Sequence, residues 1–240
     1  DAPGAEDPAK PRYLDPAALE SPPLAIAAAA RETLRMGDAL EAMLRDTLTV
    51  FQTDDRKLAA DIIRRDDVVD RLHEAIKLYL TQVSREALGE SDSKRCMEII
   101  AYTTNLEHVG DIIDKNLIEI AVKKIKNRLR FSEEGFAEIG GIHASVLDTL
   151  KLSLAVFMQG DPAQARRLVE QKDLMRDRER SAAENHLERL KSGRPESIET
   201  SSLHLDILRD LKRIHSHLTS VAYPILEQTG ELKRSRLAAG

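Results

Sequence analysis

The chain has 240 residues, 42% hydrophobic, 3% aromatic and 32% charged, with no Trp, so its core must be built from aliphatic side chains at helical spacing. This composition points to an all-α bundle rather than a sandwich. The net charge of -5 argues against nucleic acid as a partner, and the single cysteine, Cys96, excludes an intrachain disulfide and fits a reducing compartment.

Six of the nine prolines precede residue 24, so residues 1–22 read as a Pro-rich linker. The sequence begins at Asp1 without an initiator Met or signal pattern, and the expectation is a fragment of a longer protein. The longest apolar run, Leu24 to Ala30, is far shorter than the roughly 20 residues needed to span a bilayer, so no membrane insertion of this fragment is expected.

Beyond the linker the chain breaks at Gln52 to Asp55, Gly89 to Ser93, Ser132 to Gly135, Gly160 to Pro162 and Ser192 to Pro195. These clusters separate six predicted helices of about 25 to 35 residues each, with no strand-like alternation. Leu58, Ile62, Val69, Ile76, Leu80 and Val83 form the apolar stripe of the second helix. Ile99, Tyr102, Leu106, Val109, Ile113, Leu117 and Ile120 do so on the third. Ser132, and Asp161 followed by Pro162, are start signals for the fourth and fifth.

Leu48 to Gln52 reappears as Leu154 to Met158, 106 residues on, each stretch ending a long helix before an Asp-containing turn. Two pseudo-repeated three-helix bundles follow, residues 23–131 and 132–230, with 231–240 as a C-terminal tail.

Two carboxylate doublets stand out, Asp66 and Asp70 on the second helix and Glu107 and Asp111 on the third, each spaced by four so that both members share a face. On a helical wheel Asp114 lies beside Glu107 and Asp111. If the helices are neighbours, four or five carboxylates converge, and such a group needs a cation or the nearby Arg64, Arg65, Arg71 and Lys115. Gly110, inside this helix, needs a packing or ligand reason. The spacing alone leaves open a metal site and a set of solvated acids. In the second repeat Lys172 and Arg176, at the displacement of 106, and Lys212 and Ser216, at a displacement of 105, fall opposite the four acids, so at most one metal site is expected.

Catalytic signatures are missing: no Glu-x-x-His stands on any helix, Asp70-x-x-His73 being the near match, and no phosphate-cradling glycine loop is visible. Cys96 reads as a core thiol, and His215 and His217 point to different faces. The chain is therefore read as a binding or regulatory module, not an enzyme.

Leu106-Glu107-His108-Val109-Gly110-Asp111 resembles the Leu-Glu-Arg-Ile-Gly-Asp signature of the PhoU family, and Asp66-x-x-x-Asp70 its partner motif. Pro11 to Asp15 and Ala30 to Met36 resemble the PhoU-like C-terminal domain of bacterial sodium/phosphate cotransporters. The resemblance implies a cytoplasmic domain of an inner-membrane protein that regulates phosphate uptake. It implies the membrane domain of the same cotransporter as partner, with a homodimer as a further assembly, and iron or zinc as the metal at Asp66, Asp70, Glu107 and Asp111. A di-iron-type enzyme and a metal-free helical adaptor are the competing readings.

Overall fold

The computed structural model describes residues 6–83, 85 and 88–231. A 3-10 helix, Pro16–Glu20, leads into α1 (Pro22–Thr53), α2 (Arg56–Val83) and α3 (Glu90–Ile112). A π turn, Ile113–Ile118, joins α3 to α4 (Glu119–Lys126). Then follow α5 (Glu133–Gln159), α6 (Pro162–Lys191), α7 (Pro195–Glu199), α8 (Ser201–Thr219) and α9 (Ala222–Gln228). The described residues contain no strand, as the composition required.

The two hairpins at the heart of the repeats end and restart in the same way. α1 stops at Asp54 in the left-handed conformation (φ 57°) and α5 at Gly160 (φ 64°), each backbone N–H donating to the carbonyl four residues back. The following aspartates then cap the next helix: Asp55 Oδ1 accepts from Lys57 N, and Asp161 Oδ1 from Ala163 N, both at 3.0 Å. Ser132 Oγ accepts from Gly135 N at 3.1 Å, opening α5 where the start signal lay.

The repeats share their main core, with a smaller cluster of Val156, Ala165, Leu168, Ala222 and Leu226 set apart in the second. Leu40, Leu44, Ile76 and Leu106 from the first and Val146, Leu150, Leu211 and Ile214 from the second belong to one continuous apolar cluster. Polar bonds cross the same interface. His143 Nε2 on α5 donates to the Leu44 carbonyl at 2.6 Å. Ser153 donates to the Leu218 carbonyl at 2.6 Å, so its oxygen is left to accept from the Tyr102 hydroxyl at 2.7 Å. α5 is long and apolar enough to cross a membrane by length and composition, but Ile139, Ile142, Val146, Leu150 and Phe157 are buried in this core.

Three expectations need correction. The described part of the Pro-rich segment is not a free linker: Glu32 Oε1 accepts from the backbone N–H of Arg12 and Tyr13 at 2.7 and 3.0 Å. Arg35 donates to the carbonyls of Pro8 and Lys10, Arg71 pairs with Asp7, and Ala9 is buried, so the segment lies along the α1–α2 groove. The sixth long helix is split into α7, α8 and α9, because Thr200 leaves helical geometry (φ -104°, ψ 5°) and Pro224 is accommodated only in a helix's first turn. The third helix carries a π turn, which rotates its buried face: Ile112 and Ile118 join Ile113 and Leu117 in the core, and Ile120 moves to its edge. Of the tail at 231–240, residues 232–240 lie outside the described residues.

Candidate functional site

α2 and α3 bring the predicted doublets together. Ligand-capable atoms of Asp66, Asp70 and Asp111 all lie within 4.8 Å of one another. Asp114, near the start of the π turn, stands close enough for its charge to help raise the Asp66 carboxyl. Glu107 stands outside this tight group, on the flank next to Asp111 and 3.7 Å from His108 Nε2. The helical wheel placed all five acids near one another, but the relative height of the two helices sets which of them meet.

Asp66 sits deepest, only 2% exposed, and its Oδ1 is buried without a hydrogen-bond partner, as is Oδ1 of Asp70. Burial first, then the charges of Asp70, Asp114 and Asp111, push the Asp66 carboxyl up to about 8. Burial likewise raises Asp70, helped by Asp111, and raises Asp114 and Glu107. Four carboxylates so placed cannot all be ionised comfortably without a cation.

Of the four basic side chains expected to neutralise the acids, one arrives: Lys115 Nζ donates to Asp111 Oδ1 at 2.8 Å. Arg64 pairs with Asp61, Arg65 with Asp46 and Asp61, and Arg71 with Asp7 of the leading segment. Oδ1 of Asp66 and Oδ1 of Asp70 are thus buried without a hydrogen-bond partner, though the charge of Lys115 reaches Asp70.

Gly110 explains why α3 can bear this arrangement. A Cβ at that position would lie 2.5 Å from Asp66 Oδ1 and 3.4 Å from Leu40 Cδ2, so a side-chain carboxylate, not a neighbouring backbone, fills the space. The Gly110-Asp111 pair thus combines a seat for one carboxylate with the supply of another. An all-oxygen donor set on two helices suits a hard or borderline cation.

In the second repeat Arg176 and Lys212 line one open pocket with Glu179, and each cation has a partner of its own. Lys172 reaches the Tyr223 hydroxyl, Arg176 pairs with Asp173 and Lys212 with Glu179. His215 is buried against Thr149 at 3.0 Å, and His217 bonds Asn105 at 2.8 Å, so the two histidines serve different contacts. Cys96 is buried in the core, and burial raises its thiol pKa, as a structural cysteine requires.

The PhoU domain model matches this sequence twice, over residues 33–119 and 139–225, with the displacement of 106 residues seen in the repeat. The chain belongs to the PhoU domain family. It is 41% identical over 231 residues to YjbB of Escherichia coli strain K12, named as a candidate inorganic phosphate export protein, covering 96% of this chain. The chain spans only 42% of that relative's length. It is 23% identical over 184 residues to the phosphate-specific transport system accessory protein PhoU homolog 1 of Thermotoga maritima, covering 76% of this chain and 78% of that one. Among solved structures, the phosphate transport system regulatory protein PhoU of Streptococcus pneumoniae superposes with a TM-score of 0.76 at 18% identity, covering 88% of this chain and 99% of that one. That likeness confirms the fold of the PhoU domain here.

Proposed function

We propose that this chain is a PhoU-type regulatory domain, not an enzyme, which modulates phosphate movement through a membrane domain of the same polypeptide on its cytoplasmic side. The sodium/phosphate cotransporter type of parent, in the inner membrane, is the finer form of this reading. It is supported by the PhoU-domain match over both repeats, by the identity to a candidate phosphate exporter more than twice as long, and by the resemblance of residues 11–15 and 30–36. A homodimer belongs to the same proposal.

The domain's own chemistry in this reading is cation binding by Asp66, Asp70 and Asp111, with Asp114 beside them and Glu107 on the flank. Asp66 carries it, its Oδ1 buried, unpartnered and seated against Gly110, and one of its carboxylate oxygens within 4.8 Å of those of Asp70 and Asp111. Iron or zinc is the proposed ion, and it would supply positive charge that lets these acids ionise together. Bridging α2 to the π turn, the acids would then hold a joint whose geometry depends on occupancy, which is the property a regulatory domain needs.

Elemental analysis of the purified protein, followed by titration with iron, zinc and nickel, tests the site. Stoichiometric uptake supports it, and no metal on isolation or titration returns the acids to a structural role. Deleting residues 24–230 from the full-length protein tests the regulatory role: phosphate flux unchanged at both high and low phosphate would leave the domain a passive appendage.

A further inference from the structure

The repeat relates two grooves that are dressed differently. In the first, between α1 and α2, the leading segment is held by Glu32, Arg35, Arg71 and Tyr79, whose hydroxyl donates to the Asp15 carbonyl at 2.8 Å. Arg31 stacks on Tyr13 in the same groove, 4.2 Å from the ring centroid. Carrying these positions forward by the repeat displacement gives Glu138, Gly141, Asp177, Asn185 and Ala137. Four of the five, Glu138, Gly141, Asp177 and Asn185, line an open groove of about 540 Å³ between α5 and α6.

Glu138 stands where the first groove has Glu32: its two oxygens accept from Arg189 at 2.7 and 3.2 Å, Oε2 also lies 3.8 Å from His204 Nε2, and Oε1 retains a second acceptor direction for a peptide N–H. All three arginines of the first groove are gone, replaced by Ala137, Gly141 and Asp177. Leu174, standing where the first groove has the half-buried Val68, is 50% exposed at the edge. A Cβ on Gly140 or Gly141 would meet nothing within 4 Å, so nothing in the fold itself asks for these helix-weakening glycines.

We propose that the α5–α6 groove docks an extended peptide segment of a partner polypeptide, bound as the leading segment is bound in the α1–α2 groove but with reversed charge preference. The segment presents a backbone N–H to Glu138 Oε1 and lays small or apolar side chains over Ala137, Gly141 and Leu174. It places a lysine or arginine against Asp177, where the leading segment places Asp7 against Arg71. Asp177 is available for this, since its present contact is an exposed pair with Arg180 on its own helix, while Arg178, which also lines the groove, is held by Ser145 of α5. The leading segment of a second copy is disfavoured because its Asp7 would face Asp177.

The test uses two labelled peptides added to the intact protein: the sequence of residues 6–15 as it stands, and the same sequence with Asp7→Lys. Fluorescence anisotropy is expected to show the lysine peptide binding about tenfold more tightly. Gly141→Leu, which projects into the groove without touching the core, should weaken that binding about tenfold, and Asp177→Lys should reverse the preference between the peptides. Both variants must retain the helical dichroism of the parent. Equal affinity for the two peptides, preference for the unaltered sequence, or binding unaffected by Gly141→Leu would each overturn the proposal, the second assigning the groove to another copy of this chain.

Discussion

Asp66 Oδ1 lies 2.5 Å from where a Cβ on residue 110 would sit, so the glycine of α3 and the buried carboxylate of α2 are matched in shape. Gly110→Ala tests that match. Alanine favours the helix by about 1 kcal/mol but displaces the short Asp66 side chain, and the two effects largely cancel in stability. Urea unfolding should therefore move by less than about 1 kcal/mol, whereas metal affinity should fall at least about tenfold. Unchanged uptake of iron and zinc would show that Asp66 does not need this seat.

The geometry ranks the acids. Asp111→Ala removes a member of the group within 4.8 Å and should abolish metal uptake, whereas Glu107→Ala, on the flank, should weaken it without abolishing it. Lys212→Ala, in the second repeat, should leave metal content unchanged. Chelator should lower the melting temperature of the parent protein and hardly affect Asp111→Ala.

Glu32 accepts both N–H groups of Arg12 and Tyr13 and pairs with Arg35 at 2.8 Å. Glu32→Ala should release the leading segment from the groove. Limited proteolysis should then cut within residues 6–21 much faster than in the parent, with the helical bundle intact. Equal cleavage rates would mean that apolar contacts of Leu14 and Leu19 hold the segment by themselves.

Ser153 stands between Tyr102 and the Leu218 carbonyl, joining α3, α5 and α8. Ser153→Ala leaves a buried hydroxyl and a buried carbonyl without their partner, a loss of about 1–3 kcal/mol. Denaturant titration should show the midpoint falling with the slope unchanged.

Acid should weaken the fold through its buried histidines. Burial pushes the His215 pKa down to about 4, and burial with the neighbouring His186 and Arg189 does the same for His204. Between the unfolded value near 6.5 and about 4, the unfolded chain takes up protons that the folded chain refuses, so stability present above pH 6.5 is lost as pH falls. The loss is on the order of 3 kcal/mol per histidine. His215→Gln, which keeps a hydrogen-bonding partner for Thr149, should flatten this acid limb, and an unchanged pH profile would place the titration elsewhere.

Local rules were enough to read much of this chain. Asp161-Pro162 and Ser132 begin helices because capping is decided within one turn, and the stripe from Ile62 to Val83 is buried because a 3.6-residue period permits one apolar face. The doublets at 66, 70, 107 and 111 were visible for the same reason, since spacing of four fixes a shared face on one helix.

What spacing cannot carry is the relation between helices. The height of α3 against α2 decides that Asp111 enters the tight group and Glu107 does not. It also decides that Asp66 Oδ1 falls on Gly110, turning a conformationally costly residue into a fitted surface. The docking of residues 6–21 likewise depends on Glu32, Arg35 and Arg71 reaching from two helices to one strand of backbone, a contact between sites up to 64 residues apart. The π turn that delivers Asp114 escaped a reading based on one helical period, because a single widened turn shifts the buried face only where tertiary packing rewards it. Sequence determined the helices, their repeat and the acids, through interactions of short range. Only the packing of α2 on α3 decided which acids share a site and left Oδ1 of Asp66 and Oδ1 of Asp70 buried without a partner.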